Sequence, residues 1–99
     1  MEQITVDSFE RQKAINKEVT EAISTIKLNA ANGVGTTEFS FPKEIGGAVK
    51  SKITELLDDS QTRFTWCVVK KGTNQYTGKV ENFISETIGD QKFYKLKVY

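Results

Sequence analysis

Residues 35–45 read Gly35-Thr36-Thr37-Glu38-Phe39-Ser40-Phe41-Pro42-Lys43-Glu44-Ile45. Phe39 and Phe41 alternate with Glu38 and Ser40, which is the period of a short strand with one face buried. Pro42 ends it. Proline fixes φ and has no N–H to donate, so it suits the start of a helix far better than its middle. A strand placed here, between two stretches of helical period, makes the chain α+β.

On the N-terminal side, Ile15, Val19, Ala22, Ile23, Ile26 and Ala30 recur at spacings of three and four. That is one apolar stripe on a 3.6-residue helix, predicted to run from about residue 8 to residue 31. Asp7 is the expected N-cap, with Glu10 completing a capping box. Gly33 is the expected C′ residue, because glycine enters the left-handed region at little cost. On the C-terminal side, Ile45, Val49, Ile53, Leu56 and Leu57 mark a second helix. Gly46 and Gly47 weaken its first turn by about 1 kcal/mol each relative to alanine. Asp58 and Asp59 oppose the helix dipole and mark its end.

Beyond residue 60 the period becomes two. Phe64, Trp66 and Val68 alternate with Arg63, Thr65, Cys67 and Val69. Lys70 to Gln75 reads as a polar turn, and a further strand is expected from about Tyr76 to Glu86, bent at Gly78. After a turn at Gly89-Asp90-Gln91, Tyr94, Leu96 and Val98 alternate with Phe93, Lys95, Lys97 and Tyr99. The expected order is α-β-α-β-β-β: a two-layer α+β domain spanning residues 1–99, with a mainly antiparallel sheet. Three consecutive strands suggest a meander, and the two amphipathic helices are expected to cover one face of it.

The 99 residues suffice for one modest core. Hydrophobic residues at 37% and charged residues at 27% exclude a disordered chain. One cysteine allows no disulfide within the chain, although a secreted domain of this size often needs one. The N-terminus has neither the basic nor the apolar region of a signal peptide. No apolar run approaches the roughly 20 residues that span a membrane. These points favour the cytoplasm.

Histidine is absent, which removes the commonest general base and zinc ligand. Gly33-Val34-Gly35 lacks the further residues of a phosphate-binding loop. Cys67, mid-strand beside Val68, reads as a packed thiol without an activating base. Neighbouring helical residues such as Asp58 and Asp59 do not face each other, so the pair reads as a solvated helix end. No catalytic residue, metal ligand or cofactor is expected.

Net charge is +1, but residues 1–60 carry seven basic and ten acidic side chains, against seven and three in residues 61–99. The basic excess therefore falls on the strands. On the last strand Phe93, Lys95, Lys97 and Tyr99 form the face away from the core, with Lys92 beside them. Rings alternating with cations suit single-stranded nucleic acid, because bases stack on rings and lysines neutralise phosphates. Arg63, Lys70, Lys71 and Lys79 extend the positive field. The same pattern also serves edge protection and cross-strand packing. Ile15, Val19, Ala22 and Ile26 follow the 4-3-4 spacing of a coiled-coil seam, so both a monomer and a homodimer are open.

Phe39-Ser40-Phe41-Pro42-Lys43-Glu44-Ile45, then Val49 to Leu57, then Phe64-Thr65-Trp66, resemble the style of small bacteriophage and prophage accessory proteins over about residues 9–70. That resemblance implies a compact non-enzymatic protein that binds and blocks a host protein. It carries over no active residue. Three function classes stand: a protein-binding module, a single-stranded nucleic-acid-binding domain, and a self-associating structural component.

Overall fold

The computed structural model describes residues 6–99. Its elements are α1 (Val6–Ala31), β1 (Thr36–Pro42), α2 (Lys43–Asp59), β2 (Phe64–Cys67), β3 (Lys70–Thr73), β4 (Val80–Phe83), β5 (Ser85–Ile88) and β6 (Gln91–Val98). The α+β class holds, with α-β-α followed by antiparallel strands. The strand expected from about Tyr76 to Glu86 is broken into β4 and β5, and β3 is an additional strand in the stretch expected as a turn.

The first helix is already formed at Val6, so Asp7 lies inside it and does not precede it. Its far end closes as expected. Gly33 has φ +77, Gly33 N–H bonds Ala30 O at 3.1 Å and Val34 N–H bonds Asn29 O at 2.7 Å. That is a Schellman cap. The second helix ends the same way without glycine: Gln61 has φ 58, and Thr62 N–H bonds Leu57 O at 3.0 Å. Pro42 sits immediately before the second helix, and Lys43 N–H bonds Asp90 O at 2.9 Å. Arg11 Nη2 donates to Glu44 O at 3.4 Å, while Ile23 and Ile26 meet Leu56 and Leu57 at the other end. The two helices therefore run in the same direction.

The last strand occupies the centre of the sheet. On one side β6 pairs with β1, from Thr36↔Lys97 to Pro42↔Gln91. On the other side it pairs with β2, from Phe64↔Val98 to Cys67↔Lys95. The rest of that side pairs with β5, from Ser85↔Tyr94 to Ile88↔Gln91. The expected meander is thus replaced by a split β-α-β unit, with antiparallel β6 inserted between β1 and β2. Cys67 and Ser85 face the adjacent residues Lys95 and Tyr94. Together β2 and β5 are one strand interrupted by residues 68–84. The alternation runs across the break in phase: Trp66 and Ser85 belong to the helix-covered side, Cys67 and Glu86 to the other.

Residues 68–84 form a projecting hairpin in which, among the described residues, β3 and β4 pair only with each other. Val69 N–H bonds Phe83 O at 2.8 Å although Lys70 is the register partner of Phe83. Two residues against one is the geometry of a β-bulge, which bends a strand away from its sheet. Lys70–Thr73, expected as a turn, is therefore a strand, and the expected strand residues Tyr76 and Thr77 are in the turn. Asn74 decides this. Its Oδ1 accepts from Tyr76 N–H at 2.8 Å and Thr77 N–H at 3.2 Å, an Asx turn that fixes the tip. The radius of gyration is 15.5 Å, against roughly 13 Å for a compact chain of this length.

Both helices lie on one face of the sheet. The core joins Ile15, Val19, Ala22 and Ile26 to Ile45, Val49, Ile53 and Leu57, and to Phe39, Phe41, Tyr94 and Leu96. The 4-3-4 seam of the first helix is thus buried against its own domain. Val68 is exposed because the chain leaves the sheet there, and Leu56 is partly exposed beside α1. Among the described residues no helix is long and apolar enough to cross a membrane.

Candidate binding surfaces

The sheet face away from the helices carries Glu38, Ser40, Thr65, Cys67, Glu86, Ile88, Phe93, Lys95 and Lys97, by strand alternation from the buried residues. Phe93 is half-buried there, in a small hollow of about 160 Å³ that Val69, Glu86 and Ile88 also line. Lys95 Nζ lies 3.9 Å from Glu38 Oε1, and Lys70 Nζ lies 2.8 Å from Glu86 Oε1. Both lysines have carboxylate partners on this face.

Lys92 does not join the strip. It pairs with Phe41 on the helix-covered side, its methylenes lie 3.2 Å from where a Cβ on Gly46 would fall, and its Nζ is 5.6 Å from the Tyr94 ring centre. Tyr99 lies one residue beyond β6 and is exposed, between Lys97 Nζ at 5.1 Å and Arg63 Cζ at 5.8 Å from its ring centre. Lys71 is exposed on the arm, away from Lys97. The seven basic and aromatic residues singled out from sequence therefore divide among the open face (Phe93, Lys95, Lys97), the arm (Lys70, Lys71), the helix face (Lys92) and the chain's end (Tyr99).

The arm presents residues that sequence reading missed. Tyr76 at its tip is 98% exposed, Val80 is 70%, Ile84 is 49% and Ile88, where the chain has rejoined the sheet, is 58% exposed. The sequence holds one signal of this: an aromatic in the polar run Asn74-Gln75-Tyr76-Thr77-Gly78 has no alternating neighbours to take it into a core. Asn74 also donates from Nδ2 to Glu81 Oε2 at 3.1 Å, so the tip is held from both sides.

A third surface flanks the second helix. Phe39, Phe41, Trp66 and Tyr94 form an aromatic cluster with ring centres 5.5–6.3 Å apart. Lys50 Nζ lies 5.3 Å from the Trp66 ring and 5.6 Å from that of Tyr94, positions suited to cation–π attraction. Trp66 Nε1 donates to Thr54 Oγ1 at 3.0 Å. Beside them a groove of about 570 Å³ runs between α2 and the free edge of β2, lined by Lys50, Thr54, Glu55, Asp58, Asp59 and Trp66. Among the described residues no three acidic or cysteine side chains cluster as a metal site would require. Cys67 is half-buried, with its thiol donating to Thr65 O at 3.9 Å.

No family model matches the sequence, and no curated protein or solved structure is similar to it.

Proposed function

We propose that this chain is a non-enzymatic binding domain that modulates another protein by occupying its surface, with the β3–β4 arm as the principal contact. One observation carries the reading. The arm is an excursion from what is otherwise a continuous strand, yet it bears exposed apolar side chains around a hydrogen-bonded tip. Apolar side chains left in water gain free energy when a partner buries them, and a tyrosine offers large contact area at low entropic cost. The resemblance to phage accessory proteins favours a host protein as the partner and the cytoplasm as the place of action.

The test is affinity capture from a lysate treated with nuclease, using the wild-type chain and a Tyr76→Ser/Val80→Asp variant of equal thermal stability. One stoichiometric protein captured by the wild type and lost by the variant is expected. Equal capture by both would remove the arm from the function.

A second reading rests on Tyr99 with Lys97 and Arg63 around its ring, a unit suited to one unstacked base and its phosphates. It predicts single-stranded RNA or DNA binding that weakens steeply with salt and is lost in Tyr99→Ala. The pairing of Lys95 and Lys70 with carboxylates favours the protein-binding reading over this one.

A further inference from the structure

The free edge of β2 and the groove beside it together have the features of a strand-addition site. Tyr99 N–H bonds Arg63 O at 2.9 Å, so Arg63 is turned toward β6. In an antiparallel pair the bonding side alternates, so Thr65 and Cys67 also face β6. The backbone N–H and C=O of Phe64 and Trp66 are left on the outer edge, which no other strand among the described residues covers. Val98 N–H bonds Gly35 O at 2.8 Å, which fixes the same phase from the other side of β6.

That edge opens onto the α2 groove. Its wall is the ring of Trp66, whose N–H is already satisfied by Thr54. Its rim is acidic: Glu55, Asp58 and Asp59 line it against Lys50 alone. Lys50 is occupied over the Trp66 and Tyr94 rings, and Glu55 has Lys52 at 3.6 Å. Asp58 and Asp59 have no ion pair among the described residues. A helix C-terminus adds partial negative charge at the same place.

We infer that this groove takes an extended, basic segment of a partner protein, which adds as a strand to β2 and sets lysine or arginine side chains against Asp58 and Asp59. Main-chain bonds to Phe64 and Trp66 supply the affinity, and the acidic rim with the Trp66 wall supplies the selectivity, as in strand-addition recognition generally. The site is independent of the arm.

Trp66 is the sole tryptophan, so its fluorescence reports on the groove directly. The probe is a labelled seven-residue peptide alternating valine with lysine, titrated at low salt into the full chain. Two peptide controls accompany it, one with glutamate in place of lysine and one N-methylated at every residue so that its amide donors are gone. Saturable binding is expected to shift Trp66 emission and the amide resonances of Phe64 and Trp66. The N-methylated and glutamate peptides are expected to bind at least about tenfold more weakly, a difference of about 1.4 kcal/mol. Asp58→Asn/Asp59→Asn, two exposed positions whose neutralisation eases the helix dipole, should weaken the lysine peptide severalfold and leave folding intact. No binding at millimolar peptide, equal binding of the N-methylated or glutamate peptide, or binding without movement of Trp66 and the two amides would each overturn the inference. The Tyr76→Ser/Val80→Asp variant should bind the peptide as the wild type does, so failure here and failure of the arm as a partner site are read separately.

Discussion

Gly46 and Gly47 are adjacent in the sequence, and the fold separates their roles. A Cβ on Gly46 would fall 3.2 Å from Lys92 Cβ and Cδ, whereas a Cβ on Gly47 would meet nothing within 4 Å. Gly46 therefore permits the close approach of α2 to β6, and Gly47 is only a helix residue of poor propensity. Gly47→Ala is expected to stabilise the protein by about 0.5–1 kcal/mol, the entropy gain of alanine over glycine in a helix. Gly46→Ala is expected to gain less than this or to destabilise, because Lys92 must shift from its place over Tyr94. Denaturant midpoints of the two variants decide it; an equal gain in both would mean that the approach to Lys92 is not tight. Single residues also show where sequence reading stops. Lys92 and Lys95 look alike in a run of alternating lysines, but one packs over an aromatic ring among the helices and the other pairs with Glu38 on the far side of the sheet.

Among the elements, the arm is the one whose removal the sheet geometry permits. Cys67 and Ser85 face consecutive residues of β6, and the inward–outward alternation continues across the gap. Excision of residues 68–84 with Cys67 joined to Ser85 is expected to give a chain with one continuous strand and a cooperative unfolding transition. The loss of stability should be modest, since the fully buried side chains Ile53, Leu96 and Val49 all lie outside the arm. Calorimetry and far-ultraviolet dichroism of the excised chain check this; a chain that fails to fold would show that the arm is part of the framework. The two helices are legible in the sequence, because each carries its apolar stripe within its own residues. The arm is not. A polar run such as Lys70-Lys71-Gly72-Thr73 becomes a strand only when Val80–Phe83 returns alongside it, and the Asn74 side chain, more than the composition around it, sets where the turn falls.

At the scale of the molecule, one core among the described residues ties both helices to β1 and β6, with Phe64, Trp66 and Val98 packed at its margin. Leu96 is fully buried at its centre, between Thr37 of β1 and Trp66 of β2 in the sheet register. Leu96→Ala should cost about 2–5 kcal/mol through lost transfer energy and the cavity left behind, a large part of the roughly 5–15 kcal/mol typical of such domains. Trp66 fluorescence and helical dichroism should shift to the same lower midpoint, as one cooperative unit requires. Separate midpoints for the two probes would mean that the sheet and the helices unfold independently.

The sequence by itself determined the two helices, the strand between them, the faces that form the core and the strand character of the C-terminal part, because those rest on periodicities of 3.6 and 2 within short windows. The break at Val68, the central place of β6, the union of β2 with β5, and the distribution of the lysines among separate surfaces were decided only by the tertiary structure. The physical reason is that strand pairing and register are backbone hydrogen bonds between residues far apart in the chain. Alternation states that two residues share a face, while the pairing decides which strand lies beside them and what charge stands opposite.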